Sequence, residues 1–153
     1  SRELANSLKV ETYANPTNLP PAIIVDIDGT LATMSGRSPY EWHRVGEDSP
    51  VHAVISAVRI AAYYNNVIVM SGRDESCRYI TETWLGQHLG VGFQLYMRPE
   101  GDTRKDDLVK YELFNKYVRD EFHVSYVLDD RDQVVKMWRS LGLPCFQVNY
   151  GDF

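Results

Sequence analysis

The sequence is short of cysteine, of long apolar runs and of surplus positive charge, and each shortage removes a class of protein. Only Cys77 and Cys145 occur, and they form no spacing motif. A disulfide framework is excluded, and a reduced, intracellular, cytoplasmic setting is expected. No apolar stretch approaches the ~20 residues that cross a bilayer, and no signal-peptide pattern is found, so no membrane partner is expected. Acidic residues outnumber basic ones, 21 to 16, for a net charge of -5. That balance argues against non-specific coating of nucleic acid but leaves a local basic site open. Internal repeats and low-complexity tracts are absent. At 153 residues, 44% apolar and 24% charged, the chain fits one globular domain with a sizeable core.

What is present is the run Ile23-Ile24-Val25-Asp26-Ile27-Asp28-Gly29-Thr30. An apolar stretch of strand character ends in two carboxylates two residues apart, and Gly29 permits the turn that follows. In an open α/β sheet, ligands bind at the carboxyl ends of the strands. Like charges crowded there are costly unless a cation or a proton lies between them. Two readings result: a divalent-metal site, or an aspartate capping a turn.

The rest of the chain alternates strand and helix. Residues 33–48 read as an irregular excursion over the strand ends. Ser49-Pro50 reads as a helix start, N-cap then first-turn proline. Strands are expected at 67–70, 93–97, 124–128 and 145–148. Helices are expected from Asp74 to Leu89, Lys105 to Glu121 and Gln133 to Leu141. Ser71-Gly72-Arg73 is expected to break from the end of the second strand. Residues 1–20 read as a linker or extension and 21–153 as the domain. The expected fold is a Rossmann-like parallel α/β sheet of about five strands in the order 3-2-1-4-5, helices on both faces and a minimal cap. This order makes strands one and four neighbours, so Asp26, Asp28, Asp129 and Asp130 surround one crevice, with Ser71 and Arg73 on its flank.

A strand-end carboxylate can serve as a nucleophile toward phosphorus, splitting one hard step into two. Asp26 fits that role. Asp28 fits the general acid that protonates the leaving oxygen and then the base that activates water. Asp130, Asp26 and a backbone carbonyl near Asp28 suit Mg²⁺, with Asp129 as an indirect ligand. Ser71 and the Gly72 amide are donors for phosphoryl oxygens. A lysine is also needed. Asp106 and Lys110 share a helix face, which reads either as a surface ion pair or as Lys110 reaching the nucleophile with Asp106 holding it. Lys105 is the second choice. Tyr40, Trp42 and His43 either stack on a base or pack the excursion onto the body. Trp84, Trp138, Phe114 and Tyr117 read as core, and His52 and His88 as structural or solvated.

These residues resemble the haloacid dehalogenase superfamily of phosphohydrolases. Asp26-Ile27-Asp28-Gly29-Thr30 looks like its first motif, Ser71 its second, Lys110 its third and Asp129-Asp130 its fourth. Further blocks are similar to the phosphatase domain of phage polynucleotide kinase/3′-phosphatases. They are Met34, Gly36-Arg37, Pro39-Tyr40, Ser71-Gly72-Arg73, the run from Gly101 to Asp107, Asp129-Asp130-Arg131 and Gly151-Asp152-Phe153. The resemblance implies removal of 3′-phosphates from DNA or RNA ends during end healing, with a fused or separate kinase and ligase as partners. It also implies that Arg37 and Arg73 grip the substrate phosphate and that Asp106 supports the site. For Arg37 the alternative is a solvated loop residue, and for Arg73 a helix-start residue paired with Asp74 or Glu75. The chain has no G-x-x-x-x-G-K-[ST] match, so no kinase activity is expected from it. Two other readings stand beside the 3′-phosphatase: a phosphatase of nucleotides or other small phosphomonoesters, and a non-catalytic end-binding domain.

Overall fold

Residues Pro21–Val25 form β1, the middle strand of the sheet in this computed structural model, which describes residues 8–153. Strand β1 pairs in parallel with β4 (Asn66–Asp74) on one side and β6 (His123–Asp129) on the other. Strands β5 (Gln94–Arg98) and β7 (Cys145–Gln147) complete the order β5-β4-β1-β6-β7. Counted over these five strands alone, this is the expected 3-2-1-4-5.

Two-residue periodicity divides the core. Ala22 and Ile24 join Ile68 and Met70 on one face. Ile23 and Val25 join Val67 and Val69 on the other. Helix α1 (His52–Ala61) and α2 (Arg78–His88) close the second face through Ile55, Val58, Trp84 and Leu85. Helix α3 (Asp106–Tyr117) and α4 (Asp132–Ser140) close the first through Val109, Phe114, Val134 and Trp138. Each fully buried side chain of this size contributes about 1.5–3 kcal/mol of transfer free energy. The buried face of α3 also carries Lys110, a cation that needs partners inside.

Several boundaries differ from the sequence expectation. Ser49–Pro50 is a strand, β3, pairing antiparallel with β2 (Ala32–Thr33). Proline is tolerated on so short an edge strand, and α1 starts at His52 without a side-chain cap. Ser71, Gly72 and Arg73 remain within β4, but the register with β5 slips between Ser71 and Asp74. Such an irregularity re-aims side chains beside a site. Asp74 ends that strand and accepts a hydrogen bond from the Ser76 amide, so a 3-10 turn, Glu75–Cys77, precedes α2. Helix α3 ends at Tyr117 rather than near Glu121.

The excursion between β2 and β3 is a small flap containing one 3-10 turn, Trp42–Glu47. The described part of the N-terminal extension lies against the α3/α4 face. Tyr13 is buried edge-on to Phe114, centroids 5.1 Å apart, and Asn15 bonds the Val124 backbone in both directions. Residues 1–7 of the expected linker lie outside the described residues.

Candidate active site

The chain leaves β1 at Asp26, whose amide donates to the Leu128 carbonyl at 2.9 Å. It then turns so tightly that the Ile27 carbonyl accepts from the amides of Thr30, Leu31 and Ala32. Gly29 has φ +81° in that turn, a conformation L side chains avoid. A Cβ on Gly29 would lie 1.9 Å from Asp130 Oδ2. Glycine therefore admits both the turn and the approach of the β6 loop.

Three carboxylates meet there. Asp26, Asp129 and Asp130 are buried, each offering an oxygen within 4.8 Å of the others. Lys110 Nζ donates to Asp26 Oδ1 at 2.8 Å and to Asp129 Oδ2 at 3.0 Å. Thr30 Oγ1 donates to Asp26 Oδ2 at 2.9 Å. The Trp138 indole donates to Asp129 Oδ2 at 3.1 Å, and the Asp130 amide to Asp129 Oδ1 at 2.8 Å. Burial, reinforced by Asp129, raises Asp26 well above the usual carboxylate range against the pull of Lys110. Burial raises Asp130 too. Burial alone would lower Lys110, but Asp129 and Asp26 overcome it and hold the ammonium well above the ordinary lysine value. With every group ionised, three carboxylates and one ammonium leave a charge of -2, which a divalent cation neutralises. The cluster therefore fits a metal ion.

A second cluster adjoins the first at Asp28. Arg73 grips both Asp28 oxygens, Nε to Oδ2 at 3.0 Å and Nη2 to Oδ1 at 2.9 Å, and reaches Thr81 Oγ1. Arg37 contacts Asp28 Oδ1 at 3.4 Å. Both arginines also bond Asp48.

Ser71 is buried, and its Oγ accepts from the Arg73 amide at 3.0 Å. At Gly72 a Cβ would lie 1.9 Å from Asp106 Oδ1, so glycine lets the start of α3 close on β4. Asp106 pairs with Arg98 at 3.1 Å and Arg131 at 3.8 Å.

Lys110 is thus brought to Asp26, while Lys105 is exposed at the N-cap of α3. The residue bonding Lys110 from behind is Asp129, not Asp106, whose carboxylate faces Arg98 and Arg131 instead. Arg37 is buried rather than solvated, and the carboxylate partners of Arg73 are Asp28 and Asp48 rather than Asp74 or Glu75. Tyr40 is 84% exposed and cannot pack the flap down, whereas Trp42 is half-buried and packs against the core. Sequence reasoning missed Asp48, Thr81 and the indole of Trp138 as polar partners. An aspartate ending a loop carries no local signal of two distant arginines. A cavity of about 470 Å³ between α1 and the turn after α2, lined by Ile60, Tyr63 and Val91 among others, includes none of the clustered aspartates.

A parallel sheet that brings a β1 aspartate, a β6 aspartate pair and a buried lysine together defines a phosphatase of the haloacid dehalogenase type. Across residues 20–153 the chain matches the polynucleotide kinase PNKP phosphatase domain, and it belongs to that family. It is 40% identical over 129 residues to a protein of Autographa californica nuclear polyhedrosis virus, named as a bifunctional polynucleotide kinase/RNA ligase. That match covers 82% of this chain and 19% of the viral protein. A chain in the structure of a Pnkp1/Rnl/Hen1 complex superposes with a TM-score of 0.87 at 41% identity, over 97% of this chain and 52% of that one. The chain thus spans a fifth to a half of the length of these relatives. The class C acid phosphatase of Bacillus anthracis shares the fold, with a TM-score of 0.57, 17% identity, and coverage of 87% of this chain and 58% of that one.

Proposed function

We propose that this domain is a Mg²⁺-dependent phosphomonoesterase that removes 3′-phosphates from DNA or RNA ends through an Asp26-phosphate. The observation that carries this reading is the pairing of Lys110 with both Asp26 and Asp129 beside Asp130. An Asp26 oxygen attacks phosphorus in line. The bond from phosphorus to the sugar oxygen breaks, and Asp28 gives that oxygen a proton. Water then attacks the aspartyl-phosphate, Asp28 takes its proton, and inorganic phosphate leaves with Asp26 restored.

Asp26, Asp130 and the Asp28 backbone carbonyl would hold the Mg²⁺, which when bound offsets charge on the phosphoryl oxygens. Lys110 holds the nucleophile and offsets phosphate charge, Ser71 and the Gly72 amide receive phosphoryl oxygens, and Asp106 braces Gly72. Arg37 and Arg73 orient Asp28 and add positive charge beside the phosphate.

The small flap leaves room for the end of a polymer. Family membership and the names of the relatives support a place in nucleic-acid end healing, with kinase and ligase activities on neighbouring domains or proteins. The test compares phosphate release from a 3′-phosphorylated oligonucleotide, a 5′-phosphorylated one and a mononucleotide. Preference for the first supports the reading. Equal rates on all three would favour a general small-substrate phosphatase instead.

A further inference from the structure

Asp48 is the last flap residue before β3, and its side chain is 0% exposed. Asp48 Oδ1 accepts from Arg37 Nε at 2.7 Å, and Oδ2 from Arg37 Nη2 at 2.9 Å and Arg73 Nη2 at 2.8 Å. Its backbone is also tied on both sides. The carbonyl accepts from the Trp84 indole of α2 at 2.9 Å, and the amide donates to the Val45 carbonyl at 3.2 Å. Of the four charged side chains, Arg37, Arg73 and Asp48 are at most 1% exposed, whereas Asp28 is 36% exposed. Three buried groups therefore converge on one carboxylate that reaches solvent.

We propose that Asp48 is the positioning residue for Asp28: it fixes both guanidiniums and so aims the Asp28 carboxyl group at the leaving oxygen. The inference rests on the acid–base role given to Asp28 in the proposed function. With both aspartates ionised the cluster is neutral, and with the proton that Asp28 gives to the leaving oxygen in place it carries a charge of +1. Without the Asp48 charge, two adjacent guanidiniums share one carboxylate and repel each other in a place water scarcely reaches. Arg73 Nη2 loses one of its two carboxylate partners, and the grip on Asp28 shifts with it. A misplacement of about 1 Å can cost about 10²-fold in rate.

A residue that merely held the flap in place would affect every substrate alike. A residue acting through a proton donor does not in the step that breaks the ester bond, because only a poor leaving group needs the proton, whereas the later attack of water on the aspartyl-phosphate is common to both. The sugar oxygen of a 3′-phosphate is such a group, and p-nitrophenolate is not.

The experiment measures the single-turnover rate at which wild type and Asp48→Asn release the leaving group of a 3′-phosphorylated oligonucleotide and of p-nitrophenyl phosphate, with melting curves to check folding. The expected result is a loss in that rate of about 10²-fold or more on the oligonucleotide and of no more than about 10-fold on the aryl ester. In an Asp28→Asn background, adding Asp48→Asn is expected to lower aryl-ester turnover no further. If Asp48→Asn unfolds, Asp48→Glu, which keeps the charge but moves the carboxylate by one methylene, is read the same way. Equal losses on both substrates, no loss on either, or a further loss in the Asp28→Asn background would overturn the proposal. A wild type inactive on both substrates would instead overturn the phosphatase reading on which it rests.

Discussion

The ammonium of Lys110 donates to Asp26 across 2.8 Å although the two residues stand 84 apart in sequence. The same ammonium reaches Asp129, so one buried cation joins α3 to the ends of both β1 and β6. The carboxylates proposed as nucleophile and as metal ligands are thereby held in one arrangement.

Lys110→Ala is expected to lower turnover by about 10²-fold or more, because it removes the charge that orients Asp26 and offsets the phosphate. Lys105→Ala, at an exposed N-cap, is expected to change it less than about 3-fold. Steady-state kinetics on one phosphoester compare the two, and the reverse ranking would show that the exposed lysine serves the site. Lys110→Ala also leaves three buried carboxylates without their cation, a change that typically costs about 3–5 kcal/mol. A lower melting temperature follows.

Those carboxylates predict stabilisation by metal. At a concentration about 100 times its Kd, Mg²⁺ is expected to add about 2.7 kcal/mol, or roughly 5–10 °C in Tm for a domain of this size. Asp130→Asn removes one ligand charge and should abolish most of that shift. A thermal melt with and without Mg²⁺ reads both, and an equal shift in the variant would place the ion elsewhere.

Gly29 tests the close approach on which the cluster depends. Gly29→Ala brings a Cβ to within 1.9 Å of Asp130 Oδ2 at φ +81°, so Asp130 must move. The backbone conformation alone costs about 1–2 kcal/mol. The expected outcome is a lower Tm, a weaker Mg²⁺-induced shift and a deep loss of turnover. Retention of the full Mg²⁺ shift would show that Asp130 is not a ligand.

The first motif was legible because a short apolar run ending in two carboxylates has few physical explanations. The order of the sheet followed from the alternation of elements. Lys110 was legible as a residue but not in its surroundings. Spacing of four pointed to Asp106, while the partner that bonds it, Asp129, comes from a strand that only the fold brings near. Asp48 was illegible because its meaning lies in two arginines 11 and 25 residues away. Ser49-Pro50 misled in the same way. A serine-proline pair suits a helix start locally, and pairing with β2 overrode that preference.

Tyr40 is the exposed aromatic of the flap and is free to stack on a base. Such stacking is worth about 1–3 kcal/mol. Tyr40→Ala is therefore expected to raise KM for a 3′-phosphorylated oligonucleotide about 5-fold or more and to leave p-nitrophenyl phosphate kinetics as they were. Parallel kinetics on the two substrates decide it, and an unchanged oligonucleotide KM would remove Tyr40 from the binding surface.

The most direct test of the account is phosphate release from a 3′-phosphorylated oligonucleotide with Mg²⁺, with EDTA, and with Asp26→Asn. The account predicts release with Mg²⁺ that disappears on chelation and in the variant, while the variant still melts cooperatively. Release that persists in folded Asp26→Asn would contradict the aspartyl-phosphate route.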